Sequence, residues 1–229
     1  MSIAIESNAA TDRWTPLSGV GWAGFQHAKA LVGDGPVRIT YVDGDLLLMS
    51  PGVLQEGYED ALRDVVKAVT RGLMIEARTI GSALWERVGM DAGKMPDVAF
   101  YLANAPRVEG REIDVDTDPV PDLVIEVEVG HPPQLALRAY ARIGVPEVWH
   151  FRHRPPGPAT LRFLRLDEGR WTEVETSPNL PMLERERVLA IVMQAAVLGE
   201  LQRARLLDRW VRDELRPRRR PRRRKGDQA

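Results

Sequence analysis

Cysteine is absent from the 229 residues, which excludes a disulfide framework, a thiolate zinc site and a cysteine nucleophile in one step. Aromatic residues are sparse, at 6%, and no window approaches the roughly 18 uninterrupted apolar residues that a membrane span needs. An integral membrane protein is not expected. The first twenty residues, interrupted by Glu6, Asp12 and Arg13, lack the charged start and continuous apolar stretch of a secretory leader. The expected location is therefore cytoplasmic. No serine stands in a Gly-x-Ser-x-Gly elbow, and GVGWAG (Gly19 to Gly24) has neither the preceding strand nor the lysine of a phosphate-binding loop. The four histidines, His27, His131, His150 and His153, show no ligand or triad spacing. His150 and His153 flank a strand end and read as surface residues. His131, directly after an acidic strand, is the one histidine kept as a candidate.

What is present suits a globular domain: 44% hydrophobic and 28% charged residues. The net charge of -1 conceals an asymmetry. Arg216 to Lys225 holds eight of the 32 basic residues, and only one acid, Asp227, follows Leu215, so residues 1–215 carry 24 basic and 32 acidic residues. A basic peptide is attached to an acidic body. The tail RPRRRPRRRK offers nothing apolar to bury and two prolines that interrupt helix, so disorder is expected over 216–229. Its arginines, Arg218, Arg219, Arg220, Arg222, Arg223 and Arg224, could neutralise phosphates of a nucleic acid; they could equally fold back on the acidic body.

The pattern of elements predicts one domain over 13–215. VRITYVDGDLLLM (Val37 to Met49) reads as two strands around Asp43-Gly44, a pair that tolerates positive φ in a tight hairpin. A helix over Gln55 to Leu73 follows from apolar residues at Tyr58, Ala61, Leu62, Val65, Val69 and Leu73. Strands are expected over Ser82 to Met90 and Pro96 to Leu102, with Asp91-Ala92-Gly93 as turn material between them. Pro121 to Val129 alternates: Leu123, Ile125, Val127 and Val129 on a core face, Asp122, Val124, Glu126 and Glu128 on the other. A short helix ending at Gly144, a strand over Glu147 to Arg152 parallel to the acidic strand, a second hairpin around Asp167 to Gly169, and a helix over Glu184 to Arg212 complete the order. The fold class is α/β: a mixed central sheet flanked by helices.

Carboxylates are the remaining chemistry. Asp97 opens one predicted strand while Glu126 and Glu128 share a face of the next. A hard divalent cation such as magnesium takes one to three carboxylate oxygens plus water, and adjacent strands can bring such groups together. The bland alternative is an acidic strand face turned to solvent.

PDVAFY (Pro96 to Tyr101), PDLVIEV (Pro121 to Val127) and YARIGVPEVW (Tyr140 to Trp149), in that order after YVDGDLLLMSP (Tyr41 to Pro51), resemble the Uma-two family of restriction endonucleases, a branch of the PD-(D/E)XK nuclease superfamily. The resemblance spans roughly Ile39 to Phe151 and implies a restriction-endonuclease-like core. It further implies a metal-dependent endonuclease hydrolysing phosphodiester bonds in DNA, with Mg2+ or Mn2+ as cofactor. Asp97 and Glu126 match the two metal-holding acids, and Glu128 would be an auxiliary acid. Restriction enzymes are often dimers, so a homodimer belongs to what is implied, although no self-complementary surface is visible in the sequence.

The chain departs from that family at the lysine that steadies water and phosphate. Glu128 stands two residues after Glu126, and Ala136 occupies the usual position on the following helix. Arg138, two residues on, is turned by roughly 200° around the helix. Lys94, three residues before Asp97, is the other candidate, read as a surface residue flanking a strand. Tyr58 replaces the histidine that often opens the first helix, with Glu59 beside it as a further acid. Loss of the lysine leaves a second expectation open, a catalytically impaired nuclease-fold protein that binds nucleic acid or a protein partner. Deletion of Arg216 to Ala229 is expected to weaken DNA binding and flatten its salt dependence, since each neutralised phosphate contributes roughly -0.9 to the log–log slope; an unchanged slope in a salt titration would show that the tail does not engage DNA.

Overall fold

Local patterning lays down most of the strands, and their pairing distributes them between two sheets. The structure, a computed structural model, describes residues 12–216 apart from 34, 82, 88 and 131–133. His131 and the arginines Arg218 to Arg224 lie outside the described residues. Strand β1 (Arg13–Leu17) and helix α1 (Trp22–Val32), which the sequence pattern does not announce, precede the expected hairpin of β2 (Arg38–Val42) and β3 (Asp45–Ser50). Asp43 and Gly44 turn that hairpin with φ of 51° and 86°, the left-handed pair that a two-residue connection favours. Helix α2 (Val53–Leu73) buries Tyr58, Ala61, Leu62, Val65 and Val69 along its predicted apolar stripe.

The next stretch differs from expectation. In place of two strands there are four short ones: β4 (Arg78–Ile80), β5 (Trp85–Arg87), β6 (Ala92–Lys94) and β7 (Val98–Tyr101). Asp91 does turn the chain, at φ 48°, but Ala92 and Gly93 belong to β6. Gly93 is needed there by close approach, because a Cβ would stand 2.4 Å from Cζ of Phe25. A one-turn helix α3 (Ala105–Val108) leads towards β8 (Leu123–Val129), helix α4 (Ala136–Ile143) and β9 (Glu147–His153). Gly144 ends α4 at φ 88° with its N–H bonded to the Tyr140 carbonyl, the left-handed cap read from the sequence.

The hairpin of β10 (Ala159–Asp167) and β11 (Arg170–Val174) follows. The single helix expected over Glu184 to Arg212 is broken into α5 (Arg185–Ala195), α6 (Glu200–Trp210) and a π-helical turn (Val211–Leu215). Gly199 is extended at the start of α6. The bend lets Val188 and Val192 of α5 and Leu207 and Trp210 of α6 reach the same core as α2. A straight helix could not place both stripes on that surface.

β1-β3-β2-β6-β5 form one sheet and β11-β10-β9-β8-β7-β4 a mixed second sheet, in which β8 and β9 are parallel as the strand–helix–strand unit predicts. Helices α2, α5 and α6 cover one face of the second sheet. Against its other face lies α4, whose Ala136, Ala139, Tyr140 and Ile143 share a core with Val42 and Ala92 of the first sheet and Val124 and Val148 of the second. All seven residues of β8 are buried, so the acidic face read from alternation is an interior surface. Solvent exposure of that face is ruled out by α4 and the first sheet. Asp122 lies just before β8 and accepts the N–H groups of Leu102 (2.7 Å) and Asn104 (2.8 Å), a role in fixing the chain after β7.

At the start of β9 the fully buried Glu147 accepts from Trp149 Nε1 (2.8 Å), Ser177 Oγ (2.6 Å), Asn179 N (2.9 Å) and Asn179 Nδ2 (2.7 Å). This carboxylate ties the segment before α5 to the central sheet. Glu147→Ala would leave several buried donors without an acceptor and is expected to destabilise the fold by about 2–4 kcal/mol, with a smaller loss for Glu147→Gln. Guanidinium unfolding of both variants measures the difference.

Candidate active site

Antiparallel pairing sets Val98 of β7 opposite Ile125 of β8. One step further along the same register brings Asp97 opposite Glu126, and opposed residues in an antiparallel pair project to the same side of a sheet. Both are buried, at 4% and 5% exposure. Asp97 Oδ2 accepts the backbone N–H of Val127 at 2.7 Å, which fixes one oxygen. Thus the two acids identified in the sequence are brought together.

Lys94 joins them, contrary to its reading as a surface residue. It lies inside the first sheet, paired across to Thr40 of β2 and Trp85 of β5, and its side chain is only 2% exposed. Nζ stands 3.0 Å from Glu126 Oε1 and donates to the Met95 carbonyl at 2.9 Å, with the Tyr140 ring 5.5 Å away. Asp91 to Gly93 reads locally as a turn, after which a lysine is ordinarily solvated; the burial comes from β6 lying between β2 and β5. Tyr140 of α4 completes the grip, donating its hydroxyl to Glu126 Oε2 at 2.6 Å. Both Glu126 oxygens therefore have a fixed partner.

A second group closes the other side. Arg38, at the start of β2, donates through Nη1 to Glu59 Oε1 (2.6 Å) and to Asp97 Oδ1, and through Nη2 to Glu59 Oε2 (2.7 Å). Glu59, the extra acid noted beside Tyr58, faces inward from α2 and also accepts from Gln55 Nε2 at 2.9 Å. Tyr58 itself bonds His153 Nδ1 at 2.8 Å and plays no part in the cluster. Asp12, which in the sequence only interrupts the N-terminal stretch, accepts from Gly52 N at 2.9 Å and Val129 N at 3.4 Å. Arg38 and Asp12 carried no sequence signal, since neither belongs to a motif or a periodic stripe.

Other candidates divide between the cleft and the surface. Glu128 is buried on the same face of β8, but its carboxylate faces β9, with Oε2 3.1 Å from His150 Nε2 and 2.9 Å from Arg152 Nε. His150 is 1% exposed, which corrects its reading as a surface residue: the parallel pairing of β8 and β9 sets it beside Glu126 within the sheet. Arg138 pairs with Asp43 and Asp45 at 3.3 and 3.1 Å, on the hairpin outside the cluster. Ala136, by contrast, lines the same narrow cleft as Arg38, Lys94, Glu126 and Glu128.

Burial dominates the electrostatics. Desolvation and the neighbouring Asp97 charge push the Glu126 carboxyl up to about 8, against the opposing pull of Lys94 and Tyr140. The same two causes push Glu59 up to about 7, although Arg38 pulls it down, and burial raises Asp12 to about 6. Among the described residues, four carboxyl groups, Asp12, Glu59, Asp97 and Glu126, stand around two cations, Arg38 and Lys94. Their full ionisation leaves a deficit equal to one divalent cation. Among the described residues no three Asp, Glu or His side chains converge as a ready metal cage. Magnesium, however, commonly binds through one or two carboxylates and keeps several waters, and the hard oxygen pair of Asp97 and Glu126 fits that requirement.

Raised carboxyl pKa values mean that the folded chain binds more protons than the unfolded one above the ordinary glutamate value of 4.5. The stability they confer is complete below that value and is lost as pH rises through about 7 to 8. Urea midpoints are accordingly expected to fall between pH 5.5 and 8.5 when no divalent cation is present, and Glu126→Gln should flatten that fall.

Residues 25–198 match the model of the Uma2 family, described as a putative restriction endonuclease. That span is about three quarters of the chain and contains Arg38, Glu59, Lys94, Asp97, Glu126 and Tyr140. No curated protein matches the chain. With the four motifs in order, a mixed α/β sheet and the paired acids on adjacent strands, the chain belongs to the Uma2 restriction-endonuclease family and has a restriction-endonuclease-like fold.

Proposed function

We propose that this protein is a divalent-cation-dependent endonuclease that hydrolyses phosphodiester bonds in DNA, within one domain over 13–215. The observation that carries the reading is the meeting of Lys94 with the Asp97–Glu126 pair, because it supplies from β6 the positive charge that the strand and the following helix lack. Asp97 and Glu126 would hold Mg2+ or Mn2+; when bound, the ion lowers the pKa of water and stabilises charge developing on phosphate. Val127 N–H fixes the direction of Asp97. Tyr140, by donating to one oxygen of Glu126, leaves the carboxylate a single rotational setting. Lys94 is a buried point charge beside the reacting phosphate, where low dielectric strengthens its pull. Glu128, whose Oε2 lies 3.1 Å from His150 Nε2 and 2.9 Å from Arg152 Nε, is the auxiliary acid of the cleft. The arginine-rich tail, through Arg218 to Arg220 and Arg222 to Arg224, adds nonspecific affinity for the DNA backbone.

A second reading, a nuclease-fold protein that binds nucleic acid without cutting it, is favoured by one observation: Arg38 already occupies Asp97 Oδ1. Plasmid nicking with Mg2+ or Mn2+ separates the two. Asp97→Ala is expected to abolish cleavage, and Lys94→Ala to lower it on the order of 10²- to 10³-fold. Because Ala136 lines the same cleft, Ala136→Lys in the Lys94→Ala background should restore part of the rate. Wild-type cleavage that survives Asp97→Ala would move the active site elsewhere, and DNA binding without nicking under any cation would establish the second reading.

A further inference from the structure

Lys94 and Tyr140 hold Glu126, and Val127 holds one oxygen of Asp97; Arg38 takes the other. Its guanidinium grips Glu59 with both terminal nitrogens, at 2.6 and 2.7 Å, and reaches Asp97 Oδ1 with one of them. That oxygen is the one Val127 leaves open. Arginine does not discharge itself in a protein, and the surrounding carboxylates raise its pKa further. A cation approaching Asp97 therefore meets a fixed positive charge.

We infer that Arg38 is a built-in counter-cation that competes with the divalent ion for Asp97 and so sets the affinity of the metal site. The inference rests on the metal site proposed above and concerns a residue outside its ligand set. Two geometric features suit Arg38 to yield without unfolding the site. Its bidentate hold on Glu59 needs no contact with Asp97, so the guanidinium can release one carboxylate while anchored to the other. Its side chain is also 13% exposed where that of Lys94 is 2%, which places Arg38 nearer the mouth of the cleft. In the ion-free protein it stabilises the acids; with an ion present its charge opposes binding. Arg38 is a positioning residue in this scheme, acting on the ion through Asp97.

Calorimetric titration of the full chain with Mn2+ at pH 8.5 tests it. Arg38→Met removes the charge while keeping an unbranched side chain, and should bind Mn2+ on the order of tenfold to a hundredfold more tightly than wild type, as expected for losing a unit charge a few ångströms away in a partly screened site. Arg38→Lys should stay near wild type. The thermal midpoint of Arg38→Met should be lower than that of wild type without cation and should recover more on adding Mn2+. A folded Arg38→Met that binds Mn2+ equally or more weakly overturns the inference while leaving the metal site standing. Absence of binding by wild type and by Arg38→Met alike overturns the metal site as well. Should Arg38→Met not fold, the wild-type protein still decides: the Arg38 side-chain N–H resonance, assigned by its loss in Arg38→Lys, should move as Mg2+ saturates the site, and a resonance unmoved at saturation rejects competition at Asp97.

Discussion

Four buried carboxyl groups held by two cations form the constraint on which the two-sheet arrangement depends. Arg38 and Lys94 come from the first sheet, Asp97 from the residue just before β7 and Glu126 from β8 of the second, and Glu59 from the helix packed beneath it. The ion pairs thus cross from one sheet to the other. Removing such charges from water costs more than one pair usually returns, and apolar residues of equal volume would stabilise a core at least as well. Stability alone gives no reason to keep them. An excess of acid over base in a buried cleft is what a site for an added cation requires, and burial first, with the neighbouring Asp97 charge second, raises the carboxyl pKa values of Glu126 and Glu59 there.

The scaffold serves this cluster by rigidity. Strand positions carry Lys94 and Glu126, and Asp97 stands immediately before β7, so the backbone ladder fixes their origins. One apolar core, beneath α2, α5 and α6, holds the second sheet from one side; the core around α4 holds it from the other. Tyr140 shows how the two requirements coincide. Its ring packs in the α4 core while its hydroxyl reaches Glu126, so displacement of the helix would also release the carboxylate. The bend between α5 and α6 and the Glu147 anchor keep the far side of the sheet covered, which leaves the cleft side free for chemistry.

Much of this was legible in the residues themselves. Asp43-Gly44 marked its hairpin, the Tyr58 to Leu73 stripe its helix, Gly144 its cap, and the strand–helix–strand unit its parallel pair. Asp97 and Glu126 stood out as motif acids, and Glu59 as a neighbour of the position where the family's histidine is replaced. Lys94 and His150 were misplaced for one reason: local sequence does not say whether a short strand lies at an edge or between two others. Lys94 follows a turn, yet β6 is flanked by β2 and β5; His150 reads as flanking a strand end, yet it is the middle residue of β9, which is flanked by β8 and β10. In each case pairing partners from distant parts of the chain removed the solvent that the local pattern promised.

The sequence by itself therefore determined the elements whose cause is local, namely turns that need positive φ, stripes that repeat at helical or strand spacing, and the family that the ordered motifs identify. It also pointed to the carboxylates Asp97 and Glu126 as candidate chemistry. Only the tertiary structure decided which charges share the cleft. Arg38, Lys94, Glu59 and Asp12 come from four separate segments, and their partnership with Asp97 and Glu126 arises from the stacking of two sheets on α2 and α4. Coulombic interaction depends on distance through the folded protein, and burial depends on what covers a strand; neither quantity is written in the spacing of residues along the chain.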